Sequence, residues 1–504
     1  MWIVLFPFTF ILYRAYRVIT GLKAVSYIPG LRPLFAPITL FGATLPTSTW
    51  NPGLMWPWKW REFSYFNHTH EVLSMVPLLS GQPCLYVGSL PVMKQLLSTE
   101  GEMRMRKPEQ LTAAVLWGYN LFSSNGDTWK RHRRVVAPAL ATPTYELVVK
   151  ESISLYNDVS SAQGWTSDRT SFDIPDINTI TDKFALIVIA RCGFGQPMEW
   201  SSVQGDSWFA EAVTRVSETM IPRQAVPKWA YNLPVKYLRT LEKTWTDFGK
   251  FMHNLVRQRK QEIHESENAL EDRSDIFTRL VAAGDSTGKY GLSAQEVISN
   301  TFLMMSAGHE TTAKALMATL ALLALHEQDQ DRAYQEIIEG IPSDRDPTSD
   351  DIPRLTHLLA CLREALRIFP PGFFLPREVT QDTLIEVTRP RKERLLIKRG
   401  TLLVVDMISI HHDPHVFPDP DAFRPSRWYD KSEYDTSMFG EGPRACFGRK
   451  FAQVEAMTFL VLFLRDWKVE CVEGYDKKRM LDEAQLRGIG FGMGSWPLRI
   501  VARK

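Results

Sequence analysis

The sequence predicts a mainly α-helical protein, and two stretches carry most of that prediction. Residues 293–325 show a long apolar helical pattern, at whose start Ser293 and Glu296 have the spacing of a capping box. A second pattern begins after residue 448, where apolar residues recur at spacings of three and four: Phe451, Val454, Met457, Leu460 and Leu464. Shorter helical patterns cover residues 127–140 and 358–369, and no Gly/Ser-rich linker divides the chain.

The composition is that of a large globular protein with balanced charge. Of its 504 residues 44% are hydrophobic, which is enough for a large core, although length alone suggests about two to four domains. The 59 basic and 57 acidic residues give a net charge of +2, which does not favour nucleic-acid binding. The five cysteines are scattered and contain no CxxC pair. They indicate a reducing compartment, and they favour neither a disulfide framework nor a zinc or iron–sulfur site.

The N-terminus is a nearly unbroken apolar run over residues 1–13, followed by the basic residues Arg14, Arg17 and Lys23. We interpret residues 1–19 as a membrane anchor, since basic residues after the run favour a cytosolic location for the rest of the chain. The alternative is an interfacial segment that never spans the bilayer. Residues 20–37 are a basic, proline-rich linker. Asn67 begins a glycosylation sequon that a cytosolic domain would not use.

Residues 439–449 form a tight loop around one cysteine, with glycines at 440, 442 and 448 and a proline at 443. Cys446 lies where this loop leads into the helical pattern. Backbone N–H groups and the helix dipole at such a position favour a thiolate over a thiol, and a thiolate is a good axial ligand for haem iron. The alternative, a small buried core cysteine, does not explain why three glycines, a proline and Arg444 surround it.

This loop resembles the haem-binding loop of cytochromes P-450, which it matches at Phe439, Gly442, Arg444, Cys446 and Gly448. The resemblance implies a mainly α fold with small β-sheets (α+β), in a single large haem domain over residues 38–504. It implies haem b as the cofactor, with Cys446 as the proximal iron ligand and Arg444 paired with a haem propionate. Other family motifs occur in the family's order, at Trp129, Ala307, Glu364 and Phe423.

The long helical pattern contains the run Ala307-Gly308-His309-Glu310-Thr311-Thr312. A glycine in mid-helix costs about 1 kcal/mol relative to alanine, and polar side chains in an apolar helix cost desolvation. A purely structural helix has no reason to carry both. The distal helix of the family has this pattern. By resemblance, Ala307 and Gly308 border the substrate pocket and leave room for dioxygen, while Glu310 and Thr311 are catalytic and relay protons.

The resemblance also assigns further haem contacts. Trp129 and Arg133 stand four apart on the predicted 127–140 helix, which Asp127 would cap, and therefore share one face. In the family this pair hydrogen-bonds the haem propionates, and some members place another propionate ligand at the position of Arg377. Neighbouring basic residues would form a solvated face or a docking surface for an acidic partner: Lys130, Arg131 and Arg134.

Residues 358–369 carry the family's Glu-x-x-Arg motif. Glu364 and Arg367 are close enough in a helix to form an ion pair, and by resemblance Arg427 completes a structural triad that holds the core near the haem loop. Phe373 and Phe374 would project toward the substrate.

Two loops have alternative interpretations. The apolar, proline-rich residues 220–234 correspond to a substrate-entrance loop that dips into the bilayer, or to ordinary buried loop packing. The glycine-rich residues 488–495 could suggest a phosphate loop, but they lack the strand–turn–helix context. A β-turn that touches the substrate pocket fits the family better.

The resemblance implies a monooxygenase that inserts one oxygen atom of dioxygen into a lipophilic molecule, in secondary metabolism or detoxification. Candidate substrates are terpenoids, sterols, fatty acids and polycyclic aromatics. By resemblance, electrons come from NADPH through NADPH–cytochrome P-450 reductase, with cytochrome b5 as a second donor, at the cytoplasmic face of the endoplasmic reticulum membrane. The alternatives are a haem-thiolate isomerase or dehydratase, and a non-enzymic haem-binding protein.

Overall fold

The computed structural model describes residues 2–61, 68–108, 117–165, 169–201, 208–220, 223, 226, 228–265, 275–284, 291–342, 344–431, 437–488 and 490–503. The chain divides into two compact units. The sheet unit comprises residues 1–112, 372–422 and 437–445, and the helix unit comprises residues 113–371, 423–436 and 446–504. Asn67 and part of the 220–234 loop lie outside the described residues.

The helices, numbered along the chain, are α1 (Trp2–Ala24), α2 (Leu40–Thr44), α3 (Trp56–Lys59), α4 (Leu90–Leu97), α5 (Thr99–Met103), α6 (Gly126–Val136), α7 (Thr142–Gln163), α8 (Ile177–Val188), α9 (Trp208–Glu218), α10 (Lys236–Glu265), α11 (Ile276–Gly284), α12 (Ala294–Leu325), α13 (Glu327–Gly340), α14 (Thr356–Ile368), α15 (Met407–His411), α16 (Arg449–Asp466) and α17 (Lys477–Asp482).

The strands are β1 (Gly30–Leu31), β2 (Val72–Met75), β3 (Cys84–Val87), β4 (Met105–Arg106), β5 (Ser171–Ile174), β6 (Phe374–Val379), β7 (Thr383–Val387), β8 (Glu393–Ile397), β9 (Leu402–Asp406), β10 (Trp467–Cys471), β11 (Gln485–Arg487), β12 (Gly490–Gly492) and β13 (Leu498–Ala502).

The sheet unit is built on a six-stranded sheet with the order β1-β2-β3-β9-β6-β4, beside the β7–β8 hairpin. The central strand β3 is buried on both faces and pairs in parallel with β9, as its uninterrupted apolar sequence favours. At the edge, β4 pairs antiparallel with β6, so that Met105 lies opposite Val379 and Arg106 opposite Glu378. This register places Lys107, the residue after β4, beside Arg377.

The helix unit is organised around α12. Its predicted capping box is confirmed: Ser293 Oγ accepts from the Glu296 N–H at 3.2 Å, and the Glu296 carboxylate accepts from the Ser293 N–H at 2.9 Å. Phe184 of α8 packs on Phe459 of α16, with ring centres 4.7 Å apart. The smaller sheets have the strand orders β10-β13-β5 and β11-β12.

The start of α6 differs from the prediction. The helix begins at Gly126 with Asn125 as its N-cap residue, so Asp127 lies in the first turn and does not cap it. Arg131 is not part of a solvated face, because it donates to both carboxylate oxygens of Glu296 and to the Gly291 carbonyl. Through these hydrogen bonds Arg131 connects α6 to the start of α12.

The predicted membrane anchor is not supported. Among the residues that the structure describes, no helix combines the length and the apolar character needed to cross a bilayer. The first helix continues to Ala24 and therefore includes the basic residues Arg14, Arg17 and Lys23. Its second half packs on the rest of the sheet unit: Arg14 donates to the Leu78 carbonyl at 2.7 Å, and Gly21 lies against Val76 and Pro83.

Candidate active site

The cysteine loop has the predicted tight form. Residues 442–444 make a 3₁₀ turn, and α16 begins at Arg449 with Gly448 as its N-cap residue. Gly442 adopts φ +66°, and a Cβ on it would stand 1.8 Å from the Leu97 carbonyl oxygen, so only glycine fits there. A Cβ on Gly448 would meet nothing within 4 Å. The backbone beside Cys446 is therefore bare, as the approach of a flat partner requires.

None of the five cysteines forms a disulfide. Of the five, Cys446 is the one that is exposed. Enough protein nevertheless surrounds the sulfur for desolvation to raise the pKa of its thiol, against the opposing effects of the Gly448 N–H and the Arg449 charge. The backbone N–H at the helix N-terminus thus acts in the predicted direction, toward the thiolate, but desolvation outweighs it. Coordination to a metal ion would overcome the desolvation, because a coordinating thiol is deprotonated outright.

The predicted Trp129–Arg133 pair lies next to the cysteine loop. The Arg133 guanidinium carbon is 5.5 Å from the ring centre of Trp129 and 6.0 Å from that of Phe447, the residue after Cys446. The motif on α6 and the cysteine before α16, more than 300 positions apart in the sequence, thus meet around one aromatic ring.

One face of α12 is open. Between Val297 and Leu323 every residue of this helix is buried except Leu303, Met304, Ala307, Gly308 and Thr311. Their spacing places them on a single stripe, which includes three of the predicted site residues. The Thr311 hydroxyl on this stripe donates to the Ala307 carbonyl at 2.8 Å. Thr312 makes the equivalent bond to Gly308 at 3.0 Å but is buried.

Helix packing also favours glycine at position 308, which the sequence did not reveal. A Cβ on Gly308 would lie 3.1 Å from Ile189 Cδ1, in the π-helical turn (Ile189–Gly193) that follows α8. The glycine therefore permits close helix packing as well as leaving the open stripe without a side chain.

Glu310 lies beside this stripe and is buried. Its Oε2 is 3.6 Å from Nζ of Lys314, one helical turn later, and both side chains are at most 10% exposed. Gly488, the residue after β11, covers the carboxylate, since a Cβ on it would stand 2.2 Å from Glu310 Oε2. The structure thus brings Glu310 and Lys314 together and leaves Thr311 on the open face.

The predicted propionate ligands of the sheet unit, Arg377 and Arg444, belong to a buried cluster of cations. Arg377 Nε donates to Glu102 Oε1 at 2.6 Å, and Arg444 Nε lies 3.8 Å from the other oxygen of Glu102. Lys107 is buried with them. Burial and the charges of Arg377 and Arg444 lower the pKa of Lys107 well below its usual value, against the opposing charge of Glu102.

Sequence reasoning missed Lys107 and Glu102. Neither belongs to a motif, and only the pairing of the short strand β4 with β6 brings Lys107 beside Arg377. The cations outnumber the Glu102 carboxylate in this cluster, so an added anion would relieve their mutual repulsion. Carboxylates such as haem propionates fit this requirement.

The predicted triad is assembled in the helix unit. Arg367 donates from Nε and Nη2 to both oxygens of Glu364 at 2.9 Å, and Arg427 Nε donates to Oε1 at 3.2 Å. Glu364 and Arg367 have no exposed side-chain surface. The indole N–H of Trp428 and the backbone N–H of Arg424, which were not predicted, also donate to this carboxylate.

Phe373 and Phe374 contact each other, with ring centres 4.5 Å apart. Phe374 also packs edge-on against the buried Tyr86, at 5.8 Å, within a core cluster of the sheet unit. Its ring therefore has a core role beside the predicted pocket role.

Comparison with known proteins decides the family, because the cytochrome P-450 family model matches residues 54–496. The chain belongs to the cytochrome P-450 family. It is 29% identical over 458 residues to cytochrome P-450 monooxygenase 124 of Postia placenta, covering 88% of this chain and 86% of that one. It is 27% identical over 382 residues to 11-oxo-beta-amyrin 30-oxidase of Glycyrrhiza uralensis, covering 73% and 70%.

The fold agrees with this assignment. The crystal structure of the cytochrome P-450DA haem domain superposes with a TM-score of 0.69 at 21% identity, covering 86% of this chain and 90% of that chain. The P-450 family model runs through both compact units, so they are parts of one P-450 domain. The predicted class, mainly helical with small sheets, is confirmed. The protein is a P-450 monooxygenase, and members of this family bind haem b through a cysteine thiolate.

Proposed function

We propose that this P-450 oxygenates a lipophilic small molecule, with haem b held by Cys446 and electrons supplied from NADPH by a separate reductase. The observation that carries the proposal is the exposed residue Cys446, which adjoins bare glycine backbone and the Phe447–Arg133–Trp129 contact. Bound through a thiolate, haem b supplies the activation of dioxygen, since the thiolate favours O–O cleavage.

Residues from several elements would hold the cofactor. Trp129 and Arg133 adjoin the cysteine loop, and their N–H groups suit carboxylate acceptors. Arg377 and Arg444, joined by Lys107, provide buried cations for propionates. The buried Glu364–Arg367–Arg427 triad would not contact the cofactor, and its role would be structural.

The open stripe of α12 supports the assignment of the reacting side chains. Ala307 and Gly308 present little side-chain volume there, which leaves room for a substrate. With its own proton donated to the Ala307 carbonyl, the Thr311 hydroxyl oxygen can accept a hydrogen bond from a water in the pocket. Glu310, one residue earlier, would return protons to that water. Thr311 would thus position the water, and Glu310 would be the acid.

The substrate class we propose is a lipophilic terpenoid, sterol, fatty acid or polycyclic aromatic, in secondary metabolism or detoxification. The open stripe is apolar apart from Thr311, which supports such a ligand, and one relative is named as an oxidase of 11-oxo-beta-amyrin. The direct partner would be NADPH–cytochrome P-450 reductase, with cytochrome b5 as a second donor.

We place the enzyme on the cytoplasmic face of the endoplasmic reticulum, with α1 lying on the membrane surface. Residues Phe8, Phe10, Ile11 and Leu12 of α1 are each at least 48% exposed, and basic residues follow them, as in interfacial helices. The membrane-bound reductase would then be within reach.

Co-expression with NADPH–cytochrome P-450 reductase tests the function. Membranes would be given NADPH and, separately, dodecanoic acid, farnesol, ergosterol or pyrene, and mass spectrometry would detect the gain of one oxygen. We expect NADPH-dependent product from at least one compound and none from Cys446→His. Turnover of a lipid hydroperoxide without NADPH would instead indicate an isomerase or dehydratase. Haem binding without any turnover would indicate a haem-binding protein.

A further inference from the structure

Glu455 lies in the middle of α16 and takes no part in the proposed mechanism. It is 0% exposed, and neither of its carboxylate oxygens forms a hydrogen bond to a residue that the structure describes. Its neighbours in the helix, Val454 and Ala456, are buried and apolar. Burial raises the pKa of Glu455 well above its usual value. We therefore expect a neutral carboxyl, because an ionised one would lose its hydration without a compensating bond.

The contacts between α7 and α16 show which part of α7 faces Glu455. Near the start of α16, Lys450 Nζ lies 4.6 Å from the ring centre of Tyr145. Further along both helices, the rings of Tyr156 and Phe459 meet edge to face with their centres 6.2 Å apart. The two helices therefore run in the same direction, and Glu455 lies at a level between these two contacts.

Two further polar side chains reach this level. Ser152 is the buried polar residue of α7 between the two contacts, and its hydroxyl likewise forms no hydrogen bond within the described part of the chain. The π-helical turn after α8 lies beside it, because Arg191 of that turn donates to Glu151 at 3.4 Å. Cys192, in the same turn, is buried, and burial with the charges of Glu151 and Glu455 raises the pKa of its thiol. A carboxyl, a hydroxyl and a thiol from three elements thus come together in the core.

We propose that Glu455 and Ser152 bind an internal water molecule between α7 and α16, beside Cys192, with Glu455 present as the neutral acid. A buried water makes about three hydrogen bonds to polar groups that have no other partner. A protonated carboxyl can donate to this water and accept from it, as can the serine hydroxyl. The water therefore joins the two helices while Glu455 keeps its proton.

The proton on Glu455 has a consequence for the proposed haem ligand. The helix α16 begins at Arg449, three residues after Cys446, so the packing of α16 on α7 fixes the backbone that follows the cysteine. An ionised Glu455 would draw further water between the helices and weaken this packing. Alkaline pH should therefore loosen the haem–thiolate site. This consequence rests on the proposed function, whereas the water site itself does not.

A buried ion pair does not account for Glu455. The charged groups on the elements that pack against α16 have other partners or are exposed: Glu151 and Asp158 bind Arg191, Lys183 lies over Trp200, Glu310 pairs with Lys314, Asp331 with Arg503 and Lys468 with Glu327, and Arg354 is exposed. Burial is the cause of the raised pKa of Glu455, with no charged group among the described residues contributing.

Infrared spectroscopy of the haem-loaded protein at pH 7 tests the protonation. Wild type should show a C=O stretching band of a protonated carboxyl that Glu455→Gln lacks and that the exposed-site variant Glu211→Gln retains. Ser152→Ala should shift this band, because the water loses one of its partners. Ser154→Ala, at an exposed serine of the same helix, is the matched control and should leave the band in place.

Urea unfolding between pH 5 and pH 9 tests the linkage. The folded pKa of Glu455 lies above the unfolded value of 4.5, so its contribution to stability is lost as pH rises toward the folded value. The stability of wild type relative to Glu455→Gln should therefore fall with pH, by at most about tenfold in the equilibrium constant per pH unit, since one proton is involved. Glu211→Gln should show no such trend.

An infrared band that persists in Glu455→Gln, or pH profiles that run parallel, would overturn the water site. Should Glu455→Gln not fold, Ser152→Ala decides, since an unshifted band would refute the bridge. Reduced, carbon monoxide-bound wild type should lose more of its thiolate band than Glu455→Gln on going from pH 7 to pH 9, and equal losses would refute the link to Cys446. Absence of that band from wild type at pH 7 would instead count against the proposed function.

Discussion

The guanidinium Nε of Arg377 donates to Oε1 of Glu102 at 2.6 Å, and both side chains are more than nine-tenths buried. Arg444 lies 3.8 Å from the second oxygen of the same carboxylate. One buried carboxylate therefore holds two arginines from distant parts of the chain in fixed orientation. This arrangement makes the cation cluster a preformed site for further carboxylates.

Lys107→Met should weaken haem retention. The methionine keeps the apolar stem but removes the charge that would bind a propionate, a loss of about 1.5–3 kcal/mol for a charged hydrogen bond. We expect a lower haem-to-protein absorbance ratio and faster transfer of haem to apomyoglobin. Lys130→Met, at a lysine whose side chain is 70% exposed, is the matched control. Equal transfer rates for both variants would contradict the assignment of Lys107.

Glu364→Ala should prevent stable folding of the holoprotein. It leaves the buried Arg367 charge uncompensated, which costs about 3–5 kcal/mol. The readouts are the urea unfolding midpoint and the yield of haem-loaded protein. The exposed ion-pair residue Glu211 provides the comparison, and Glu211→Ala should change the midpoint little. A normal yield of haem-loaded Glu364→Ala would mean that the triad is dispensable.

Cys446→His should abolish the red-shifted absorption band of the reduced, carbon monoxide-bound protein, because that band requires a thiolate ligand. Cys471→Ser, at a partly buried cysteine in β10, should keep the band. Persistence of the band in Cys446→His would assign the ligand to another cysteine.

The Glu296–Arg131 contact should make stability depend on acid pH. Burial acts to raise the pKa of Glu296, but hydrogen bonds from Arg131 and Ser293 outweigh it and lower the pKa to about 2. A depressed carboxyl pKa gives stability that is fully present above the unfolded value and is lost as pH falls toward the folded value. The contribution should therefore fade between about pH 4.5 and pH 2.

Glu296→Gln measures this contribution. At pH 7 the variant should be less stable than wild type by roughly 1–3 kcal/mol, because charged hydrogen bonds are lost. In urea unfolding the difference should persist from pH 7 to pH 5.5 and shrink at pH 4. A difference that is the same at all three pH values would show that the charge of Glu296 is not its source.

Features set by neighbours in sequence were predictable. The capping box of Ser293 and Glu296 and the ion pair of Glu364 and Arg367 each lie within one helical turn, so spacing alone determines whether the side chains can meet. The cysteine loop is likewise local, and its glycines reveal the close approach of backbone.

Features set by tertiary pairing were not predictable. Lys107 reaches Arg377 only through the register of a two-residue strand, which has no sequence periodicity. Lys314 and Gly490 meet because a hairpin near the C-terminus packs on a helix more than 170 positions earlier. The thiol pKa of Cys446 depends on how much protein surrounds the sulfur, which no local pattern encodes.

Thr311→Ala should separate electron use from oxygenation. Incorporating one oxygen atom while the other leaves as water consumes protons in the pocket, so a water must be held there while bulk water is kept out. Thr311 lies on the open stripe of α12, and its hydroxyl orientation is set by the bond to the Ala307 carbonyl. Thr312 bonds back to Gly308 in the same way but is buried, so it cannot order a water in the pocket.

Thr311→Ala should therefore keep the carbon monoxide spectrum, because the proposed ligand is Cys446 and not a residue of α12. It should continue to consume NADPH but release most of the electrons as hydrogen peroxide, with product per NADPH reduced roughly tenfold or more. Thr312→Ala is the matched control, since it removes the same hydroxyl from the buried side of the helix and should retain most of the coupling. NADPH, peroxide and product must be measured in the same reactions. Wild-type product per NADPH in Thr311→Ala would remove Thr311 from the mechanism, because a helix-stabilising hydroxyl would then account for everything it does.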